Sequence, residues 1–151
     1  AAFESQLQIA IDLDLPIVVH SREADEDTQA ILQNFVGQMS KRGVIHSFTS
    51  GQALAEYCLS EGFCLGFNGI STFKAAENVR EIISITPIDQ ILFETDAPYL
   101  TPIPYRGQKN EPKYLPFIAA QVAQVKNVSL DVLLPQVWKT SMELFFHEAN
   151  Q

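Results

Sequence analysis

Short, unbroken apolar runs alternate along the chain with longer stretches in which apolar residues recur every three or four positions. The first stretch has helical spacing over residues 3–11, which predicts a helix that ends near Leu15-Pro16. Residues 17–19 are β-branched and show no polar alternation, which predicts a short strand buried on both faces. Four acidic residues then precede a second stretch of helical spacing, and acidic residues favour a helix start through the helix dipole.

The same strand-then-helix order recurs further along the chain. Strands are predicted over residues 44–46, 63–67 and 91–96, and helices over residues 52–60 and 75–85. The four strands end near residues 20, 46, 68 and 96, a period of about 25 residues that is typical of parallel strands joined by right-handed helical crossovers. The pattern therefore predicts an α/β fold with a parallel sheet.

The pattern changes after the fourth predicted strand. Residues 97–113 contain four of the eight prolines and show no hydrophobic periodicity, which predicts a long ordered or semi-ordered loop. Helical spacing returns in residues 114–125 and again in residues 130–146. For the last helix, Ser129 is the expected N-cap and Pro135 is expected to mark a break or a restart.

Length and composition fit one globular unit. The chain has 151 residues, of which 46% are hydrophobic and 19% charged, and these values exclude a disordered tail, a collagen-like fibre and a disulfide miniprotein. A complete (β/α)₈ barrel takes roughly 200 to 250 residues. If the repeated units are barrel units, only about half of a barrel fits.

Charge and cysteine content narrow the function class. The net charge is −8 and the pI is near 4.7, which argues against nonspecific binding of nucleic acid or membrane through a basic surface. An anionic substrate would need a metal ion or a small cationic patch. Cys58 and Cys64 are six residues apart, a spacing that matches neither a CxxC redox pair nor a zinc-finger motif. Both are expected to be reduced and buried. Without a membrane span or an export signal, a cytoplasmic location is expected.

Polar residues follow the predicted strands. His20, His46 and Asp96 stand at three strand ends, with Asn68 at the corresponding place on the other strand. Because the carboxyl ends of parallel strands and the loops after them form one rim, these side chains can converge there. Two imidazoles and a carboxylate suit Zn²⁺, Mn²⁺ or Mg²⁺. Alternatively, each histidine is a hydrogen-bonded structural residue; His147, in the C-terminal tail, is expected to be a bystander.

Three further residues near the strand ends have alternative roles. Glu94 precedes Asp96 by two positions, so in a strand both carboxylates point to the same side. Glu94 can then support the site by hydrogen bonding, make an ordinary structural ion pair, or bind metal directly. Ser21 and Ser47 each follow a strand-end histidine, and each can hydrogen-bond the site or cap the next helix.

The loop after the fourth strand is locally cationic. Residues 101–113 carry Arg106 and two lysines against Glu111 as the single acid. A guanidinium beside the strand ends can bind a phosphate or a carboxylate of a substrate. Alternatively, Arg106 pairs with Glu111 or with one of the strand-end carboxylates.

Three segments carry a specific resemblance. The segments LPIVVHSREADEDT, GVIHSFTSG and, above all, ETDAPYLTPIPYRGQKNEP resemble the TatD family of metal-dependent hydrolases, which are amidohydrolase-like (β/α)₈ barrels. The resemblance covers essentially the whole chain. It implies a rim site that usually holds two divalent ions, Mg²⁺ or Zn²⁺ with Mn²⁺ possible. Family members are described as DNases, and some are 3′ exonucleases that act on single strands.

The resemblance also implies roles for individual residues. His20 and His46 would be ligands to one ion, while Asp96 would be a ligand to the other and the catalytic proton acceptor from the attacking water. Arg106 and the segment Asn110-Glu111-Pro112 fall in the family's site loop. Tyr105 stands where many relatives carry His or Phe, and Ser141 stands near a common Asn; these departures affect substrate detail rather than chemistry.

The family's first-strand HxH pair and its later bridging glutamate have no counterpart in this sequence. We therefore expect residues 1–151 to form the C-terminal half of a single TIM (β/α)₈ barrel, equivalent to strands five to eight with their helices. Such a fragment would bind metal weakly and be inactive alone as a deoxyribonuclease. It would associate with itself or with a separate N-terminal half.

Two other function classes stay open in the sequence. The first is a metal-dependent amidohydrolase or deacylase acting on a small molecule at the same rim. The second is a non-catalytic fragment that serves as an interaction module.

Overall fold

A computed structural model describes residues 2–146. His147, expected to be a bystander, lies outside the described residues. The alternation of strands and helices is confirmed, and the strands are β1 Ile17–His20, β2 Gly43–His46, β3 Cys64–Phe67 and β4 Ile91–Phe93. The helices are α1 Ala2–Asp12, α2 Asp25–Phe35, α3 Gln52–Ser60, α4 Glu77–Ile85, α5 Leu115–Lys126 and α6 Leu130–Phe145.

The four strands form one parallel sheet in the order β1-β2-β3-β4. Each strand pairs with the next one along the chain, which is the arrangement expected when a single helix connects neighbouring parallel strands. The register places His20 directly beside His46. The carboxyl ends of the strands therefore meet at one rim, as the sequence pattern predicts.

The two faces of the sheet are unequally covered. One face contributes Val19, Ile45, Leu65 and Ile91 to the main core, which the helices cover. The opposite face carries a small cluster of Val44, Cys64 and Leu92, against which Leu144 packs. The prediction that the first strand is buried on both faces is wrong for Val18, which is 61% exposed, because β1 is an edge strand and no helix covers that face at Val18.

The main core contains the apolar positions that the helical spacing selects. Helix α4, for example, buries Val79, Ile82 and Ile83, and each fully buried aliphatic side chain of this size contributes about 1.5–3 kcal/mol. Both cysteines are free and buried, as expected from their spacing. Burial raises the pKa of the Cys58 thiol to about 12 and that of the Cys64 thiol to about 11.

The fourth strand is shorter than predicted. It ends at Phe93 rather than at residue 96, although the Glu94 N–H still donates to the carbonyl of Phe67 at 3.1 Å. The carbonyl of Thr95 instead accepts from the Asn110 side chain at 2.7 Å, and Asp96 adopts a left-handed backbone conformation with φ 58°. The chain therefore leaves the sheet before Asp96.

The last two helices also differ in detail from the prediction. Pro135 lies inside a continuous α6 and does not break it. Proline cannot donate to the carbonyl four residues earlier, which here belongs to the exposed Asp131 in the first turn. Ser129 occupies the N-cap position as predicted, without a side-chain capping bond.

No single helix in residues 2–146 is long and apolar enough to cross a membrane. Only the pair Pro112–Lys126 and Leu130–Phe145 passes that test when taken together, by length and composition alone, and it is bent by 112° at the break.

Candidate active site

The strand register brings two imidazoles together at the rim. Nδ1 of His20 lies 3.0 Å from Nε2 of His46, and the ring centroids are 5.2 Å apart with 36° between the planes. His20 and His46 are register partners on neighbouring parallel strands, so their side chains lie side by side on the same face of the sheet. The two nitrogens that face each other can therefore bind a common partner.

Glu94 orients one of these imidazoles. Nδ1 of His46 lies 3.1 Å from Oε1 of Glu94, and the same oxygen accepts the backbone N–H of Ser47 at 2.6 Å. If Nδ1 of His46 carries the proton donated to the carboxylate, its Nε2 keeps a free lone pair directed toward His20. Burial raises the pKa of the Glu94 carboxyl, although the His46 ring and the Ser47 N–H oppose that shift.

Gly66 makes room for this carboxylate. It lies in β3, between β2, which carries His46, and β4, which Glu94 directly follows. A Cβ at this position would lie 2.5 Å from Oε2 of Glu94 and 3.3 Å from Cα of His46. Any side chain here would displace the carboxylate. A glycine inside a strand is the sequence signal for such a close approach, and it is how Gly66 could have been assigned to the site from the sequence.

The residues after the histidines hold the rim loops rather than capping helices α2 and α3. The Asn68 amide donates to the Ser47 hydroxyl at 2.8 Å, and its carbonyl oxygen accepts the N–H of Ile70 at 3.0 Å. The hydroxyl of Ser21 lies 2.8 Å from that of Thr28. The alternative that Ser21 caps the next helix is wrong, since the N-cap of α2 is Ala24; the alternative that it hydrogen-bonds the site stays a prediction.

Asp96 lies outside the strand, and this corrects one argument from the sequence. The expectation that Glu94 and Asp96 point to the same side requires a strand through both, and β4 ends at Phe93. Asp96 is exposed at the rim and close enough for its charge to raise the pKa of Glu94. Its roles as a metal ligand and as a proton acceptor stay predictions.

Asn110 fixes the turn that carries Asp96. Its side chain is buried and donates to the carbonyls of Thr95 at 2.7 Å and Tyr99 at 2.6 Å. The backbone N–H of Asn110 donates to the Pro98 carbonyl at 3.0 Å. These bonds hold both ends of the turn, a role that the sequence reasoning did not assign. The sequence feature that indicates this role is an amide side chain within an otherwise irregular, proline-rich loop.

Arg106 pairs neither with Glu111 nor with a strand-end carboxylate, the two alternatives to substrate contact. Glu111 instead pairs with Lys113 at 2.6 Å. The Arg106 guanidinium carbon stands 3.8 Å from the centroid of the Phe73 ring, and within residues 2–146 the guanidinium makes no salt bridge or hydrogen bond. Nothing in the sequence links Phe73 to Arg106, because they lie on loops after different strands.

The side chains at the rim offer donor atoms of the types that bind a divalent metal ion, but too few of them to complete its coordination. Two ligand nitrogens about 2.0–2.1 Å from one tetrahedral zinc ion lie a little over 3 Å apart, close to the 3.0 Å between the imidazoles of His20 and His46. A carboxylate that holds the other ring nitrogen is the usual support of a metal-binding histidine. Within residues 2–146, however, no group of three or more His, Cys, Asp or Glu side chains is arranged to hold an ion.

Comparison with known proteins identifies the family. The family model described as TatD related DNase matches residues 1–146. The chain belongs to this family. Among its relatives, an uncharacterised metal-dependent hydrolase of Bacillus subtilis is 36% identical over 143 residues, which make up 95% of this chain and 56% of that protein. The 3′-5′ ssDNA/RNA exonuclease TatD of Erwinia amylovora is 38% identical over 149 residues, covering 95% of this chain and 57% of that protein.

The fold of the TatD family is also found among solved structures. The crystal structure of the TatD homologue YjjV of Escherichia coli K12 matches with a TM-score of 0.88 at 26% identity. The match covers 96% of this chain and 55% of that protein. The chain thus spans about half the length of the relatives it matches. Several relatives are named as metal-dependent hydrolases, which implies a metal.

Proposed function

We propose that this chain carries part of the active site of a metal-dependent hydrolase that cleaves phosphodiester bonds of DNA. The observation that carries the proposal is the imidazole pair His20–His46, held by Glu94 at the carboxyl ends of parallel strands. A partly buried carboxylate that fixes the tautomer of a rim histidine is typical of metal centres. Relatives named as metal-dependent hydrolases and as an exonuclease support the same proposal.

In this proposal the complete enzyme holds two divalent ions, Mg²⁺ or Zn²⁺ or in their place Mn²⁺. His20 and His46 would hold one ion, and Asp96 would hold the other. Divalent ions at such a site lower the pKa of a bound water and neutralise charge on phosphate oxygens. Asp96 accepts the proton of the attacking water, and Arg106 neutralises charge on the phosphodiester.

The proposed substrate is a single-stranded DNA end. A strand is drawn to this acidic protein locally, since Arg106 is exposed at the rim without a carboxylate partner. A broad basic surface is not needed if the metal ions and one guanidinium supply the attraction. RNA is a second substrate to include in the test, because the Erwinia amylovora relative is named as acting on both.

We propose further that this chain forms the C-terminal half of one barrel, equivalent to strands five to eight, and that an N-terminal half-barrel completes the site. The sheet has open edges at β1 and β4. Val18 is exposed on the first edge. Beside the other edge lies an apolar groove of about 440 Å³, lined in part by Phe93, Leu134 and Trp138. In this account the chain alone is inactive, and its location is the cytoplasm, where its two free cysteines stay reduced.

The test is a 3′-labelled single-stranded DNA assay with Mg²⁺. The chain is compared with a protein in which a TatD N-terminal half precedes it, and that protein is tested with and without His20→Ala. We expect label release only by the longer protein with both histidines. If the longer protein hydrolyses acylated amines but does not cleave DNA, the proposed function becomes that of a deacylase and not that of a nuclease. No hydrolysis of either would favour a non-catalytic fragment.

A further inference from the structure

The guanidinium of Arg106 is held by an aromatic ring while its hydrogen-bond donors are left free. Its central carbon lies 3.8 Å from the centroid of Phe73, which is within the range of a cation–π contact. In the part of the chain that the structure describes, no carboxylate or carbonyl accepts a hydrogen bond from it. A planar, restrained guanidinium with unpaired N–H groups is suited to bidentate binding of a phosphate group.

The backbone that carries the Phe73 ring is fixed by hydrogen bonds. Arg80, on α4, donates to the carbonyls of Ser71 at 3.2 Å, Phe73 at 2.6 Å and Lys74 at 3.1 Å. One side chain thus satisfies three carbonyls of a single loop. The loop therefore cannot change its backbone path without breaking several charge-assisted hydrogen bonds.

The loop after β3, which carries Phe73, and the loop after β4, which carries Arg106, are joined at the rim. The N–H of Ile103 donates to the Thr72 hydroxyl at 2.9 Å, and a Cβ on Gly69 would collide with the carbonyl oxygen of Leu100. The same loop starts at Asn68, whose amide donates to the hydroxyl of Ser47, next to His46. The stacked pair thus lies at the carboxyl end of the sheet, on loops that are bonded to the histidine site.

We propose that Phe73 is a positioning residue that holds Arg106 as a preformed arm for a phosphodiester group of a nucleic acid strand. The inference deepens the proposed function and rests on it for the identity of the ligand. Arginine loses side-chain freedom when it binds an anion. Stacking on Phe73 restricts the guanidinium before the strand arrives, so less freedom is lost on binding.

The test measures binding rather than hydrolysis. Fluorescence anisotropy of a labelled oligothymidylate is recorded with this chain at low salt and with divalent metals chelated. We expect Arg106→Gln to weaken binding about tenfold, as loss of a charge-assisted contact does, and to lower the slope of log affinity against log salt by about one. Phe73→Leu should weaken binding about two- to fivefold.

A double-mutant cycle separates positioning from general damage. Phe73→Leu should have no further effect on affinity when Arg106 is already Gln, because Phe73 acts through Arg106. Phe73→Tyr should keep wild-type affinity, since the ring face is retained. Phe3→Leu and Lys139→Gln are the matched controls and should bind as the wild type does; Phe3 packs at the margin of the core, and Lys139 pairs with Glu143 on α6.

Three results would overturn the proposal: equal loss from Phe73→Leu in both backgrounds, unchanged affinity of Phe73→Leu, or no oligothymidylate binding by the wild-type chain. Because metals are chelated, a failure of the hydrolase proposal does not change the outcome of this test. If Phe73→Leu fails to fold, Phe73→Met, which removes the ring face but keeps an apolar side chain of similar length, decides whether the aromatic face matters for binding, and Arg106→Gln decides whether the guanidinium does.

Discussion

Oε1 of Glu94 lies 3.1 Å from Nδ1 of His46 and also accepts the N–H of Ser47. One carboxylate oxygen thus fixes both the ring of His46 and the backbone that follows it. The opposite nitrogen of that ring faces His20 at 3.0 Å. His20 ends β1, His46 ends β2 and Glu94 directly follows β4, so the orientation of the imidazole pair depends on the sheet and not on one loop.

Replacing Glu94 by Gln should weaken metal binding without weakening the fold. The neutral amide keeps the shape but not the charge that holds the His46 proton, and loss of such a partner costs about 10- to 100-fold in metal affinity. Burial raises the pKa of Glu94, so removing its charge should leave the melting temperature unchanged or raise it. Isothermal titration with Zn²⁺ and thermal unfolding measure the two quantities.

The matched control for Glu94→Gln is Glu143→Gln, which removes an exposed acid on α6 that pairs with Lys139. It should leave Zn²⁺ affinity unchanged. Equal affinity of Glu94→Gln and the wild type would contradict an orienting role for Glu94.

Replacing Gly66 by Ala should disturb the site from inside the sheet. The added methyl would lie 2.5 Å from Oε2 of Glu94, which forces the carboxylate away from His46. We expect lower Zn²⁺ affinity and a loss of stability of about 1–3 kcal/mol from overpacking. Gly37→Ala is the control, since a Cβ there meets nothing within 4 Å. If both variants titrate alike, the close approach at Gly66 has no bearing on metal binding.

Replacing Asn110 by Ala should loosen the turn that carries Asp96. It removes the donors to the carbonyls of Thr95 and Tyr99, which form two partly buried hydrogen bonds, and an acceptor that loses its partner away from water costs about 1–3 kcal/mol. Urea unfolding should show a drop of roughly 2–4 kcal/mol. Asn34→Ala, at an exposed position on α2, should change stability by less than about 0.5 kcal/mol. A drop no larger than that of the control would contradict the role of Asn110.

The two cysteines should resist thiol reagents in the folded protein. Burial raises the pKa of Cys58 to about 12 and that of Cys64 to about 11, from an ordinary value of 9.0, and the thiolate is the reactive form. The folded state favours the protonated thiol, so this contribution to stability is present below about pH 9 and is lost as the pH rises toward 11 and 12. Rapid labelling by Ellman's reagent at pH 7.5 without denaturant would contradict this.

Elements with strong local signals could be predicted from the sequence. The α3 helix spans residues 52–60 as expected, and Gly62 adopts the left-handed conformation, with φ 85°, that a glycine following a helix often takes. The meeting of His20 and His46 also follows from the pattern, because equivalent ends of neighbouring parallel strands share a rim. Local spacing and parallel pairing are enough for these features.

Features set by contacts between distant loops could not be predicted. The end of β4 depends on Asn110, which binds the Thr95 carbonyl in place of a neighbouring strand. The Arg106 guanidinium lies on Phe73 rather than beside Glu111, and no periodicity joins two irregular loops. The exposed Val18 in a wholly apolar run depends on which strand forms the edge of the sheet, which apolar spacing alone does not specify.

The central claim is that His20 and His46 bind one metal ion together through their facing nitrogens. The most direct measurement follows the imidazole ¹⁵N signals of the chain by NMR as Zn²⁺ is added, in the wild type and in His20→Ala. We predict that Nδ1 of His20 and Nε2 of His46 shift together in the wild type, and that the His46 shift requires much more Zn²⁺ once His20 is removed. Unchanged signals for both rings, or a His46 titration that is the same without His20, would contradict the account.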